Sequence, residues 1–316
     1  MMAENVAGKI SAIVPVGQRY DRSGAVAGEY LEALRRTGRD FELVFVLDGR
    51  QRDLAERLLE LAAGDRRLRI IQLARSFGEA TAVSAGVENT NGGTLLTLPA
   101  YPQIDAGEIE KLLAALEFSD MAIAVRWPRA AASRFEVFRR KTFHRLVRSV
   151  SGISFSDLGC GARAFKRAVA DEVPIYGDQH RFIPLLAMRR GFRVRQVEVR
   201  QSERDRYDDG YGPKIYLQRF LDLFTVVFLV RFTKKPLRFF GMIGSCTFLL
   251  GAIFLTYVVI ERLFFGVDLS DRPALLLSSL LVVLGLQIFA LGLLGELIIF
   301  THARELKEYT IEKIVN

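Results

Sequence analysis

Four arginines stand where strands are predicted to end, and this residue type suits the binding of phosphate groups. Arg19 follows the first predicted strand, Arg50 the second, and Arg126 and Arg129 the fifth. The guanidinium is planar, stays charged and can donate two parallel hydrogen bonds to a phosphate. Together the four predict a site for a phosphorylated ligand, although a solvated surface position is the simpler interpretation of any one of them.

Oxygen-bearing side chains are sparse at the same predicted strand ends. Asp48 follows the second strand, and Gln103 and Asp105 follow the fourth. Mg²⁺ and Mn²⁺ prefer several hard oxygen ligands. One amide and one distant carboxylate make a poor set, so the sequence offers Asp48 and Gln103 only as weak metal ligands.

The elements that would position these residues alternate between strand and helix. Apolar runs predict strands at 10–16, 41–47, 69–73, 94–98 and 121–125, and helical spacing predicts helices at 25–36, 54–63, 78–88 and 109–117. Short connections between them favour an α/β fold with a mostly parallel sheet and flanking helices. Ligands bind such sheets beyond the carboxyl ends of the strands, where the arginines stand.

The next part of the chain is more polar and less regular. It predicts, in order, a basic helix at 134–151, a glycine-rich turn at 157–161, a helix, an edge strand at 191–200 and a polar loop at 202–211. Residues 214–232 mix aromatic, aliphatic and charged side chains. They fit an amphipathic helix in the membrane interface and an ordinary core helix equally well.

Two apolar stretches without formal charge, 239–260 and 273–295, dominate the last third of the chain. Each reaches the roughly 20 residues that a helix needs to cross a bilayer. Positive residues flank the pair on both sides, whereas the short connecting loop has slightly more acidic than basic residues. The positive-inside rule therefore predicts cytoplasmic termini and an external loop.

The formal net charge of +8, from 44 Lys+Arg against 36 Asp+Glu, narrows the possible partners. Many arginines lie near the apolar stretches, which favours lipid headgroups and lipid phosphates. The sequence has neither zinc-finger spacing nor an RNA-binding aromatic motif, so a nucleic-acid partner is not expected.

The motifs in this order resemble the family 2 glycosyltransferases of GT-A fold, in the polyprenyl-phosphate branch that includes the dolichol-phosphate-mannose-synthase-like enzymes. The resemblance covers nearly the whole chain. It is carried by Arg-Ser-Phe-Gly at 75–78, Asp-Leu-Gly-Cys-Gly at 157–161, the segment 177–184, the run 221–229 and the paired apolar stretches. It implies transfer of a sugar from a nucleotide-sugar donor to polyprenyl (undecaprenyl) phosphate. It also implies Mg²⁺ or Mn²⁺, an inner-membrane location and a homotetramer.

The donor motifs depart from that family. The run 15–19, Pro-Val-Gly-Gln-Arg, ends in Arg19 where the family has an acidic residue. The run 47–50, Leu-Asp-Gly-Arg, keeps one of two paired carboxylates, and the run 99–103, Pro-Ala-Tyr-Pro-Gln, has lost both. By resemblance Pro15, Asp48 and Gln103 still belong to the donor site, and the four arginines could clamp a pyrophosphate without metal.

The motifs expected to bind the acceptor match the family pattern more closely than the donor motifs do. By resemblance Asp178 is the candidate general base, and Asp157 is a second catalytic candidate that also fits a turn-capping role. The predicted contacts to the acceptor phosphate are Arg181, Arg204, Tyr211 and Lys214.

Three functions stay open at this point. The first is an ordinary membrane-anchored transferase. The second is a catalytically degenerate paralogue that binds lipid phosphate or partners an active transferase or flippase. The third is a metal-independent transferase with an arginine clamp. The expected domains are a cytoplasmic head at 1–212, interfacial helices at 213–236, two spans at 237–301 and a cytoplasmic tail at 302–316.

Overall fold

The computed structural model describes residues 6–17, 19–49, 51–128, 145, 155–173, 182–205, 236–265 and 273–302. They fall into two compact units. One unit contains the described residues up to Asp205, and the other contains the two C-terminal helices.

The first unit is built on a seven-stranded sheet in the order β3-β2-β1-β4-β6-β5-β7. Neighbouring strands run parallel except β6, which is antiparallel to both β4 and β5. The strands are β1 Val6–Val16, β2 Phe41–Leu47, β3 Leu68–Gln72, β4 Gly92–Thr97, β5 Met121–Arg126, β6 Arg163–Lys166 and β7 Val194–Val199. The predicted mostly parallel sheet is confirmed.

Helices connect these strands. They are α1 Ala25–Arg36, α2 Arg52–Gly64, α3 Glu79–Glu88, α4 Ile109–Ala115 (after a 3₁₀ turn at Ala106–Glu108), α5 Arg167–Glu172 and α6 Ile183–Arg189. In α1 the buried residues include Val26, Tyr30 and Leu34, whose spacing places them on one face of a helix. The sheet beneath is strongly apolar, and β2 is buried along its whole length. This core holds the strand ends in place.

One strand was missed by the sequence analysis. Residues 163–166 form β6, whereas the sequence predicts a helix directly after the glycine-rich turn. The strand is only four residues long, and its two apolar residues stand between Arg163 and Lys166. So short a run carries no alternation that could be read as a strand. The predicted helix at 134–151, apart from Arg145, and the predicted helix at 214–232 lie outside the described residues.

The second unit consists of α7, Pro236–Phe265, and α8, Pro273–His302. Both contain candidate membrane spans, Pro236–Phe264 with mean hydropathy 2.2 and Pro273–Ile298 with mean hydropathy 2.5. Most of their apolar surface is exposed, which distinguishes them from core helices of a water-soluble protein.

Glycines bring α7 and α8 into close contact. A Cβ at Gly244 would lie 2.6 Å from the backbone nitrogen of Phe289, and a Cβ at Gly285 would lie 2.4 Å from that of Phe248. Small residues allow such approach between helices in a membrane, where close packing rather than exclusion of water holds helices together.

Candidate functional site

The loops after β1 and β4 are hydrogen-bonded to each other at the carboxyl edge of the sheet. The two strands are neighbours, with Ile13 paired to Thr97. Beyond them the Asp21 backbone N–H donates to the Ala100 carbonyl at 2.7 Å, and the buried Tyr30 hydroxyl donates to the Pro99 carbonyl at 2.9 Å. These bonds fix the geometry of the edge where a ligand is expected.

An arginine and a tyrosine meet at this edge. The Arg19 guanidinium carbon lies 4.0 Å from the centroid of the Tyr101 ring. Arg19 is exposed and Tyr101 is half-buried, and the Tyr101 hydroxyl accepts a hydrogen bond from Gln103 Nε2. A cation over an aromatic face is attracted by the negative charge density of the ring. The strand ends therefore carry a positioned positive charge.

Gln103 connects the β4 loop to the glycine-rich turn. Its side chain is almost fully buried, and its Oε1 accepts from the Gly161 backbone N–H at 2.8 Å. Its backbone carbonyl accepts from the Ser202 backbone N–H at 3.1 Å. The amide oxygen that could have bound a metal is thus already an acceptor within the protein.

Asp48 holds the loop between β3 and α3. Its carboxylate accepts from Ser76 Oγ at 2.7 Å and from the backbone N–H groups of Phe77 and Gly78 at 2.6 Å and 3.0 Å. Gly49 beside it has a φ of 101°, and a Cβ there would lie 3.3 Å from the Ser76 nitrogen. The glycine allows this close approach, and the Asp48 carboxylate accepts the hydrogen bonds that hold the β3–α3 loop.

The residues at this edge do not fit a divalent-metal site. Pro99 offers no side-chain oxygen, and Tyr101 carries only a phenol that is hydrogen-bonded to Gln103. The oxygens of Asp48 and Gln103 already accept from the protein. Within the described ranges, no group of three His, Cys, Asp or Glu side chains could hold a metal ion.

Arg126, at the end of β5, lies between two carboxylates. Its Nε and Nη2 donate to Asp157 at 2.7 Å and 3.0 Å, and its Nη1 donates to Asp205 at 2.9 Å. Only 3% of Arg126 is exposed. Burial, the largest single effect, lowers the pKa of the guanidinium, but the hydrogen bonds to Asp157 and the negative charges around it together outweigh burial, and the pKa lies above its ordinary value.

The Arg126 cluster, defined as Arg126, Asp157 and Asp205, joins three segments. Asp157 opens the glycine-rich turn and also accepts from the Gly159 N–H at 3.1 Å, while Asp205 lies beyond β7 and accepts from Gln201 Nε2 at 2.7 Å. Asp205 Oδ1 is buried without a hydrogen-bond partner among the described residues.

Several sequence-predicted residues have structural partners of their own. Arg126 belongs to the ion pairs above, and Arg204 is exposed and bonded to Glu29 at 2.5 Å. Pro15 is buried within β1, paired in register with Val46. Their predicted ligand contacts stay predictions, as do those of six residues outside the described part: Arg50, Arg129, Asp178, Arg181, Tyr211 and Lys214.

Two residues of this region were missed by the sequence analysis. Tyr101 stood in a run that was noted only for its lost carboxylates, although an aromatic residue beside an arginine-bearing strand end was a usable signal. Asp205 gave no signal, because one acidic residue in a polar segment is ordinary surface composition.

Comparison with known proteins gives the family. The profile of glycosyl transferase family 2 matches residues 11–173, just over half of the chain. The chain belongs to glycosyl transferase family 2, which makes it a transferase and confirms the predicted enzyme class.

Its relatives match it over nearly their whole length. It is 30% identical to the undecaprenyl-phosphate 4-deoxy-4-formamido-L-arabinose transferase of Klebsiella pneumoniae, over 97% of this chain and 94% of that protein. It is 25% identical to the dodecaprenyl-phosphate galacturonate synthase of Rhizobium johnstonii, over 94% of this chain and 89% of that protein.

Among solved structures, mannosyl-3-phosphoglycerate synthase from Rubrobacter xylanophilus aligns with a TM-score of 0.53 and 15% identity, over 69% of this chain and 72% of that one. This likeness concerns the fold, and the predicted GT-A fold is confirmed.

Proposed function

We propose that this protein transfers a sugar from a nucleotide-sugar donor to polyprenyl phosphate at the cytoplasmic face of the inner membrane. The observation that carries the proposal is the extent of the likeness to two transferases that are named for polyprenyl-phosphate acceptors. It covers 97% and 94% of the chain, and so includes the apolar helices as well as the sheet.

The proposed reaction is a single displacement. A phosphate oxygen of the lipid attacks the anomeric carbon of the donor sugar. The bond from that carbon to the nucleoside diphosphate breaks, the diphosphate leaves with the electron pair, and the configuration inverts. Because a phosphate oxygen is already nucleophilic, Asp178 is needed only to accept the proton of a monoprotonated acceptor. Asp157 acts through its ion pair with Arg126, by holding the glycine-rich turn in place.

The apolar helices explain how enzyme and acceptor meet. Each CH₂ buried in lipid contributes about 0.8 kcal/mol to membrane binding, so a polyprenyl chain stays in the bilayer. A transferase anchored by α7 and α8 meets the phosphate at the surface. The residues proposed to contact the acceptor phosphate are Arg181, Arg204, Tyr211 and Lys214. The exposed pair between Arg204 and Glu29 costs little to exchange for a phosphate, since such pairs contribute about 0–1 kcal/mol.

The proposal includes the four-part division of the chain into head, interfacial helices, spans and tail, and a topology with both termini in the cytoplasm. It also includes a homotetrameric assembly, which is implied by the resemblance alone. The charge flanking the spans supports the topology. A divalent cation is not given a step in the reaction, because the residues at the edge of β1 and β4 do not suit one.

The test is transfer in a membrane mimic. Purified full-length protein in nanodiscs would be incubated with undecaprenyl phosphate and a panel of radiolabelled nucleotide sugars, with undecaprenol as the control acceptor. The proposal predicts that label from at least one donor becomes lipid-linked only with the phosphorylated acceptor. Lipid binding without transfer from any donor would instead support the non-catalytic paralogue.

A further inference from the structure

The topology of the sheet singles out one place for the donor. The strand order reverses between β1 and β4, since β2 and β3 lie on one side of β1 and the remaining strands lie beyond β4. In open α/β sheets, ligands bind at such a switch point, in the crevice outside the carboxyl ends of the strands. Arg19 follows β1 and Tyr101 follows β4, so their contact spans this crevice.

Arg19 brings a positive charge to the crevice. A nucleoside diphosphate carries negative charge that grows as it leaves the sugar, and a site must stabilise that charge. Arg19, Pro99 and Tyr101 stand at these strand ends, and none of the three carries a carboxylate that could hold a metal. A guanidinium stacks on an aromatic ring through its flat face, while its N–H groups lie in the plane that matches two phosphate oxygens.

Arg126 cannot take this role as it stands. It is buried, and each of its three guanidinium nitrogens donates a hydrogen bond to the carboxylate of Asp157 or Asp205. Arg19 differs in being exposed at the switch point itself.

We propose that Arg19, positioned by the ring of Tyr101, binds the diphosphate of the nucleotide sugar in place of a divalent cation, so that donor binding is metal-independent. This inference rests on the proposed function, because that function supplies the nucleotide-sugar donor. It assigns the ligand contact to Arg19 and the role of a positioning platform to Tyr101.

Nucleotide binding by full-length protein in nanodiscs tests this assignment. Affinities for UDP and GDP would be measured by isothermal titration calorimetry in EDTA and again in Mn²⁺. The variants are Arg19→Ala and Arg19→Gln, each checked by thermal unfolding. The matched control is Arg67→Ala, since Arg67 also stacks on an aromatic ring, that of Phe41 at 4.5 Å, but at the amino ends of β2 and β3.

The expected result is that at least one nucleotide binds wild type equally well in EDTA and Mn²⁺. Both Arg19 variants should weaken that binding by about 10-fold to 100-fold, the range for a hydrogen bond to a charged group, while the Arg67 variant stays within about twofold. The assignment is overturned if wild type binds neither nucleotide or if binding requires Mn²⁺. It is also overturned if the Arg19 variants bind like wild type, or if Arg67→Ala loses as much nucleotide affinity as the Arg19 variants do.

The transfer assay distinguishes a failure of the Arg19 assignment from a failure of the proposed function. Sugar transfer that stops in EDTA and returns with Mn²⁺ would leave the proposed function standing and remove Arg19 from the role assigned here. Absence of transfer under both conditions, with the nucleotide still bound through Arg19, would count against the proposed function alone.

Discussion

Arg19 follows β1 and Arg126 is the last residue of β5, both at the carboxyl edge of one sheet, yet their surroundings are opposite. Arg19 is exposed and lies over the face of Tyr101, whereas Arg126 is buried between Asp157 and Asp205. A stacked, exposed guanidinium keeps its charge near solvent, where a ligand can reach it. A buried guanidinium bonded to two carboxylates holds segments of the protein together.

An arginine at a strand end is therefore not by itself a ligand-binding residue. Its partners decide whether removing it affects stability or binding. For Arg126 the predicted loss is stability, and for Arg19 it is affinity for the donor. Variants at these two arginines and at their neighbours separate loss of stability from loss of donor affinity.

Replacing Arg126 should destabilise the sheet unit severely. Arg126→Leu leaves Asp157 and Asp205 buried without their cation, and loss of one member of a buried ion pair costs about 3–5 kcal/mol. Chemical denaturation followed by fluorescence measures this free energy of unfolding. Arg19→Leu is the matched control and should change it by no more than about 1 kcal/mol, the contribution of an exposed cation–π contact. Similar losses in the two variants would abolish the contrast.

The reactivity of Cys160 should report on the same cluster. This thiol is buried in the glycine-rich turn, and its burial raises its pKa to about 11. At pH 8 only about one thousandth is thiolate, the reactive form, and alkylation should accelerate as the pH rises toward 11. In a Cys246→Ala background, native protein should resist maleimide, whereas Arg126→Leu should open the turn and react. Equal resistance in both proteins would show that the turn does not depend on Arg126.

Loss of the Gln103 side chain should have an intermediate effect. Gln103→Ala leaves the Gly161 backbone N–H without its acceptor, and a buried unsatisfied group costs about 1–3 kcal/mol. Denaturant titration measures the loss, with exposed Gln72→Ala as the control. If Gln103→Ala were as stable as its control, the link between the β4 loop and the glycine-rich turn would be unimportant.

Removing the platform under Arg19 should have the smallest effect. An exposed cation–π contact contributes about 0.5–1 kcal/mol, so Tyr101→Leu should weaken nucleotide binding by about two- to fivefold. Tyr101→Phe keeps the ring and should bind nearly like wild type. Titration calorimetry in EDTA distinguishes them. Equal weakening in both variants would assign the effect to the hydroxyl and its bond with Gln103 instead.

Much of the fold could be predicted from the sequence, because its central strands are apolar and regularly spaced. Helix α1 and strand β2 have the predicted bounds, and most of the other predicted strands and helices up to β5 agree to within about two residues. β6 could not be predicted, since a four-residue antiparallel strand is specified by its neighbours β4 and β5 rather than by its own pattern.

The candidate site was harder to predict for a similar reason. The sequence places Arg19, Asp48 and Arg126 at strand ends, but it does not state which side chains bond to them. The bonds from Asp48 to the β3–α3 loop and from Arg126 to Asp157 and Asp205 join residues distant in sequence. Such partners emerge only when the sheet brings separate loops to one edge.

The most direct test of the whole account is transfer of sugar to undecaprenyl phosphate by wild type and Arg19→Ala in nanodiscs, measured in EDTA with a panel of radiolabelled donors, each at a subsaturating concentration. The account predicts lipid-linked sugar from wild type without added metal and at least about tenfold less from the variant at subsaturating donor. No lipid-linked sugar from wild type with any donor, with or without Mn²⁺, would contradict it.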